Sequence, residues 1–189
     1  MAVEIEIKLK VDDLSPVRDR LQQVGAERIG RTLETNIFFD TADRALLGSD
    51  CGLRLRHSRN LDGGSDKLAV SYKGPRAEGT IKSREELEIL IDNQDSATAM
   101  FARLGYEVVL TFEKRRETWR IDRSTIELDE LPQLGSFVEI ECPTQAEVLR
   151  IRHKLALASI PAVTQTYPDL VSHYLSDRGE GQTTLTFAS

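Results

Sequence analysis

Residues 3–11 read VEIEIKLKV, with Val3, Ile5, Ile7 and Leu9 alternating against Glu4, Glu6 and Lys8. Strict alternation of apolar and polar side chains is the period of a half-buried strand, because successive side chains leave opposite faces. One face is therefore oily, and the other carries both signs of charge. A lone strand of this kind needs only water on its charged side. The reading changes if other strands repeat it.

They do. In LRLR (53–56) Arg54 and Arg56 share a face, and KLAVSYK (67–73) ends at Lys73. In SREELEILI (83–91) Arg84, Glu86 and Glu88 share a face, opposite Leu87, Ile89 and Ile91. FEKRRETW (112–119) sets Lys114 and Arg116 two apart, IELDE (126–130) pairs Glu127 with Asp129, and FVEIE (137–141) pairs Glu139 with Glu141. Eight candidate strands result, at 2–11, 28–39, 51–59, 67–74, 84–92, 106–121, 124–130 and 136–142. An open sheet with one solvated face satisfies this pattern, and so does a closed barrel with a charged lining. The charges segregate into acid-rich and base-rich strands, which favours the barrel.

Four helices punctuate the strands. Ser15-Pro16 reads as an N-cap and first turn ahead of Val17, Leu21 and Val24, with Gly25 as the stop. Asp95 is a cap for a helix carrying Met100, Phe101 and Leu104, and Thr144 with Glu147 is a capping box. Pro168 opens the last, with Leu170, Val171, Tyr174 and Leu175 as its apolar side. The expected architecture is α+β: a closed eight-stranded antiparallel β-barrel, a tunnel with charged interior and peripheral helices. Residues 1–178 form one domain, and 179–189 form a flexible tail without helical period.

Composition narrows the function. The chain has 189 residues and a net charge of −6, which argues against non-specific attraction to nucleic acid or anionic membrane. Its 2 cysteines, Cys51 and Cys142, suggest neither a disulfide framework nor a zinc site. No apolar run approaches the ~20 residues that span a bilayer. A cytoplasmic protein is expected. The three histidines, His57, His153 and His173, lack ligand spacing. Trp119 lies opposite Lys114 and Arg116 and reads as packing, as does Tyr167. Gly74-x-x-x-x-Gly79-Thr80 lacks the lysine and the helix of a phosphate-binding loop.

Carboxylates two apart on a strand are about 7 Å apart at the backbone, close enough for their side chains to converge on one cation. Their oxygens are the hard ligands that Mg²⁺ and Mn²⁺ prefer. Arginine and lysine give charge-assisted bonds to phosphate. Acids for a metal and bases for a polyanion fit a metal-complexed polyphosphate.

The residues so arranged resemble the CYTH superfamily, the class IV adenylyl cyclase and thiamine triphosphatase group of triphosphate tunnel metalloenzymes. EIEIK (Glu4, Glu6, Lys8) matches its ExExK signature. The resemblance continues in order through FFDT (38–41), LRLR (53–56), YKGP (72–75), REELE (84–88), EKRRETW (113–119), LDELPQLGSFVEIE (128–141) and TYPDL (166–170). The adenylyl cyclase-like branch is the most similar. The resemblance implies an eight-stranded tunnel, Mg²⁺ or Mn²⁺, and a bound triphosphate. By carry-over Lys8, Arg54, Arg56, Lys73, Lys114 and Arg116 grip phosphates, and Glu4, Glu6, Glu139 and Glu141 hold the metal. Asp129, Glu86 and Glu88 serve a second metal or position the nucleophile, and Arg84 neutralises charge that develops during transfer. The expected activity is conversion of ATP to cyclic AMP and pyrophosphate. Hydrolysis of thiamine triphosphate, a nucleoside triphosphate or inorganic triphosphate is the alternative, and a noncatalytic polyphosphate-binding module a third. The expected partner is a triphosphate-containing small molecule rather than nucleic acid or membrane. Whether the chain forms a homodimer stays open.

Overall fold

The computed structural model describes residues 5–75, 85–179 and 181–187. In chain order the elements are β1 (Ile5–Val11), α1 (Ser15–Gln23), β2 (Glu27–Thr41), α2 (Ala45–Gly48), β3 (Gly52–Asn60), β4 (Lys67–Lys73) and β5 (Glu86–Ile91). There follow α3 (Gln94–Arg103), β6 (Tyr106–Ile121), β7 (Ser124–Leu131), β8 (Gly135–Cys142), α4 (Gln145–Lys154), α5 (Tyr167–Ser176) and β9 (Thr184–Leu185). Every strand expected from period two is present. The helix starts are set by capping, which moves two of them. Asn93, not Asp95, caps α3 by accepting from Ser96 N at 2.7 Å, and Asp95 sits in the first turn where its charge suits the helix dipole. Leu14 occupies the cap position of α1, and Ser15 N donates to Asp13 at 2.9 Å. Thr144 and Thr166 accept from the third residue of α4 and α5, the latter within a full capping box.

The eight main strands form one antiparallel sheet in the order β1-β8-β7-β6-β2-β3-β4-β5. It is open, which corrects the expected closed barrel: β1 and β5 are its two ends, and they do not pair among the described residues. The outer edge of β1 is already occupied. Val163 N donates to Lys8 O at 2.8 Å, and Ala162 bridges Leu9, so those backbone groups are satisfied by the segment after α4. At the other end β5 pairs with β4 alone among the described residues, and Leu87, Ile89 and Leu90 are 57, 63 and 68% exposed. Alternation specifies which side chains share a face but not whether two end strands meet.

The apolar faces of the strands are covered in two places. Leu9, Trp119, Ile126, Leu128, Val138 and Ile140 pack under α1 and α4. Leu55 and Val70 pack with Ala97 and Phe101 of α3, against which Phe39 sets its ring edge-on at 5.0 Å. A third cluster lies on the opposite face, where α5 covers Leu110, Phe112, Leu131 and Phe137. The expected flexible tail joins this cluster. Thr184–Leu185 runs parallel to β6, and Leu185 is buried, because its side chain fills the space beside α5. No helix among the described residues is long and apolar enough to cross a membrane.

An open sheet leaves one edge of β5 exposed while β8 is paired on both sides. Hydrogen exchange followed by mass spectrometry should find amides of 86–91 exchanging well before those of 137–140. Equal protection of both segments would contradict the open edge.

Candidate functional site

In an antiparallel pair, residues directly opposite one another point to the same face. The register sets Glu6 against Glu141, Lys8 against Glu139, and Glu139 against Glu127. It sets Asp129 against Arg116, Lys114 against Glu34, and Asn36 against Arg56. Arg54 faces Ser71, Ser71 faces Glu88, and Lys73 faces Glu86. The alternating charges therefore share one face of the sheet across all eight strands. α5 covers one end of that face.

Arg116 is the centre of the densest part. Its Nε donates to Asp129 Oδ1 at 2.7 Å, and its Nη2 donates to Asp129 Oδ2 at 2.6 Å and to Glu139 Oε2 at 2.5 Å. Its Nη1 pairs with Glu127. Lys114 Nζ lies 3.2 Å from Asp129 and 3.3 Å from Glu34, and Lys8 Nζ lies 3.4 Å from Glu139. Tyr167, the first residue of α5, donates from its hydroxyl to Asp129 Oδ2 at 2.7 Å. Its ring lies under the ammonium groups of Lys8, at 4.0 Å, and Lys114, at 4.9 Å.

Burial and pairing set the charges. Burial opposes ionisation of Asp129, but Arg116 and Lys114 outweigh it and hold the carboxyl well below its ordinary range. Glu34, likewise disfavoured by burial, is drawn down to about 2 by Lys114, Arg116 and Arg56. Two neighbours go the other way. Glu127 is raised, chiefly by burial. Glu6 has an exposed face, yet its carboxyl is crowded by the site. Desolvation, followed by the charge of Glu139 and a shared hydrogen bond with it, pushes it up to about 7. On β3, burial and then the proximity of Arg56 bring Arg54 down to about 10.

These carboxylates fit a divalent cation. One oxygen each from Glu127, Asp129 and Glu139 lie within 4.8 Å of one another, and all are hard donors. Mg²⁺ or Mn²⁺ held by Glu127 and Glu139, with Glu6 and Glu141 beside them, would neutralise phosphate charge as a Lewis acid.

Lys8, Lys114, Arg116, Asp129 and Glu139 come together as one cluster, with Glu6 and Glu141 alongside on β1 and β8. Arg54 and Arg56 continue the face on β3. Lys73 pairs with Glu86 at 3.0 Å, and Glu88 with Lys67 at 2.9 Å. Glu86 and Glu88 are not brought to the cluster, because β6, β2, β3 and β4 stand between β7 and β5. Glu4 and Arg84 lie outside the described residues. Glu34 and Asn36 join the site although the alternation does not mark them, Tyr167 of the TYPDL motif joins it beside its packing role, and Glu127, which the IELDE pattern pairs with Asp129, joins it too. Trp119 is buried on the apolar side, in a packing role.

Two surface depressions lie elsewhere. One, of about 300 Å³, is bordered by Arg18, Arg28, Arg31, Asp62 and Glu117. There the bases are already paired with the carboxylates, so it reads as a structural ion-pair network. The other, of about 470 Å³, lies between α1 and the end of α4.

A family model described as the CYTH domain matches residues 2–165. A Methanocaldococcus jannaschii protein named as a candidate adenylate cyclase is 32% identical over 139 residues, 74% of this chain and 76% of that protein. The adenylate cyclase CyaB of Aeromonas hydrophila is 26% identical over 187 residues, 94% of this chain and 93% of that protein. Among solved structures, a Hippeastrum candidate adenylyl cyclase, HpAC1, described as having a dominant triphosphatase activity, superposes with a TM-score of 0.65. It is 24% identical, with 92% of this chain and 96% of that chain covered.

Removing the carboxylate of Asp129 takes from Arg116 and Lys114 the fully buried partner that they share. Asp129→Asn should lower stability at pH 7 by about 3–5 kcal/mol, measured by chemical denaturation. A depressed folded-state pKa stabilises above the unfolded value of about 3.9 and stops doing so as pH falls. The gap between variant and wild type should therefore narrow below about pH 4. A gap that is small at pH 7, or unchanged at pH 3, would contradict the assigned pairing.

Proposed function

The chain belongs to the CYTH domain family, and from that premise we propose that it is a divalent-metal-dependent enzyme that cleaves a triphosphate, converting ATP to cyclic AMP and pyrophosphate. The observation that carries this reading is the Arg116 cluster: three carboxylates with oxygens within 4.8 Å of one another, interleaved with Lys8, Lys114 and Arg116. A binder of anions alone would be weakened by so many carboxylates among its bases. A metal-complexed polyphosphate uses both.

Phosphoryl transfer is mostly positioning and electrostatic stabilisation. In this reading Lys8, Lys114 and Arg116 hold phosphoryl oxygens, and Arg54 and Arg56 hold those further along the chain. Glu139 and Glu127, with Glu6 and Glu141, carry the Mg²⁺ or Mn²⁺. Asp129 is fully buried and spoken for by Arg116, Lys114 and Tyr167. Its part is to orient the two bases rather than to meet the nucleophile. With a metal-complexed polyphosphate bound, Glu139 and Glu127 would hold the cation and Arg116 would be free to bond phosphoryl oxygens. Attack of the ribose 3′-hydroxyl on the α-phosphorus makes the protein a cyclase, as the names of its relatives suggest. Attack of water makes it a triphosphatase, the second reading, favoured by the description of the Hippeastrum protein.

Purified protein incubated with Mg²⁺ or Mn²⁺ and ATP should yield cyclic AMP and pyrophosphate. Orthophosphate from ATP, thiamine triphosphate or inorganic triphosphate would mark the hydrolase, and no turnover would contradict the enzymatic reading. Glu139→Gln should reduce turnover by at least about ten- to hundred-fold. Full activity in that variant would remove Glu139 from the metal set.

A further inference from the structure

The β2–β4 half of the charged face has a property that the Arg116 cluster lacks. Three of its hydrogen-bond donors are buried and have no partner among the described residues: Asn36 Nδ2, Arg54 Nε and Ser71 Oγ. Asn36 and Ser71 are 1 and 2% exposed. A buried donor without an acceptor is costly, and such groups in folded proteins are rare. Their clustering is not accidental in the register. Arg54 lies directly opposite Ser71, and Asn36 lies opposite Arg56, one position along the same face of β3. The three donors thus run diagonally across neighbouring strands.

The amide of Asn36 is oriented by its other half. Its Oδ1 accepts from Arg56 Nε at 3.0 Å, which turns the NH₂ group away from Arg56. Around the three donors stand two guanidinium groups, Arg54 and Arg56, and Glu34 already serves both Arg56 and Lys114. The patch offers unpartnered donors, and its nearest carboxylates, Glu34 and Glu88, are engaged in ion pairs with Arg56, Lys114 and Lys67. It asks for a ligand rich in oxygen acceptors and negative charge.

We propose that Asn36 and Ser71 are ligand-binding residues, two neutral donors that with the guanidinium of Arg54 form a pocket for the oxygens of a phosphoryl group at the far end of a polyphosphate chain. This rests on the triphosphate reading of the site and extends it. From β6 to β4 there are three strand steps of about 4.8 Å, so side chains must reach in from both ends to meet one ligand. A single phosphoryl group anchored at Lys114 and Arg116 does not extend to Ser71, whereas a chain of them does. The pocket therefore selects for chain length, and its neutral donors add contacts without adding charge.

Two variants separate a ligand contact from a structural one. Ser71→Ala removes a hydroxyl that has no internal partner, so the free protein should melt at or above the wild-type temperature. Asn36→Asp keeps the shape and the acceptor for Arg56 but replaces the donor with a negative charge, and the free protein should again melt no lower. Each variant should bind Mg²⁺ and imidotriphosphate, a non-hydrolysable inorganic triphosphate, at least about ten-fold more weakly by calorimetry. The loss for imidodiphosphate should be smaller. A Ser71→Ala protein that melts several degrees lower, with affinity intact, would show the hydroxyl to be used within the fold and would overturn the proposal. Affinities within two-fold of wild type in both variants would do the same. If the wild-type protein itself binds no imidotriphosphate, the triphosphate reading falls first and this inference with it.

Discussion

Arg116 is nine-tenths removed from water, and a guanidinium in that position requires negative charge around it. Glu127, Asp129 and Glu139 supply that charge from two further strands, and Asp129 also compensates Lys114. The pairing of β6, β7 and β8 is fixed as much by this requirement as by the backbone ladder. A one-residue slip of β7 would send Asp129 into the apolar layer beneath α1 and α4, and would bring Leu128 to the bases. The ion cluster and the core thus specify the same register from opposite faces. Each base and acid of the cluster is held by another side chain of the same cluster.

Helices α1, α3 and α4 cover the apolar face, and among the described residues α5 covers one end of the charged one. Tyr167 ties the two functions of α5 together. Its ring packs edge-on against Phe137 at 5.4 Å, while its hydroxyl bonds Asp129 and its face steadies two lysines. The helix that seals the third core cluster also orients the acid on which the bases depend.

Much of this was legible in the sequence, because period-two alternation is a direct record of which side chains share a face. The eight strands and the shared face of Lys8, Lys114, Arg116, Asp129 and Glu139 follow from it. Closure of the sheet does not, since an alternating strand satisfies an edge as well as an interior position. The edge of β1 is filled by Ala162–Val163, within a stretch that has no period at all. Glu34 and Asn36 escaped notice because Thr35 between them is also polar, which blurs the alternation in ETNIFF. Tyr167 reads as a packing aromatic and is one. Its bond to an acid 38 positions away depends on how α5 docks, which only the fold decides. The pairing of Thr184–Leu185 with β6 turns on one buried leucine, too small a signal to set against a polar tail.

The most direct test of the exchange of partners at Arg116 is a crystal structure with Mn²⁺ and imidotriphosphate, read by the anomalous signal of the metal. Manganese should lie within coordination distance of carboxylate oxygens from Glu139 and Glu127, with the Arg116 guanidinium turned from Glu139 to a phosphoryl oxygen. Manganese elsewhere, with Arg116 still bonded to Glu127, Asp129 and Glu139, would contradict it.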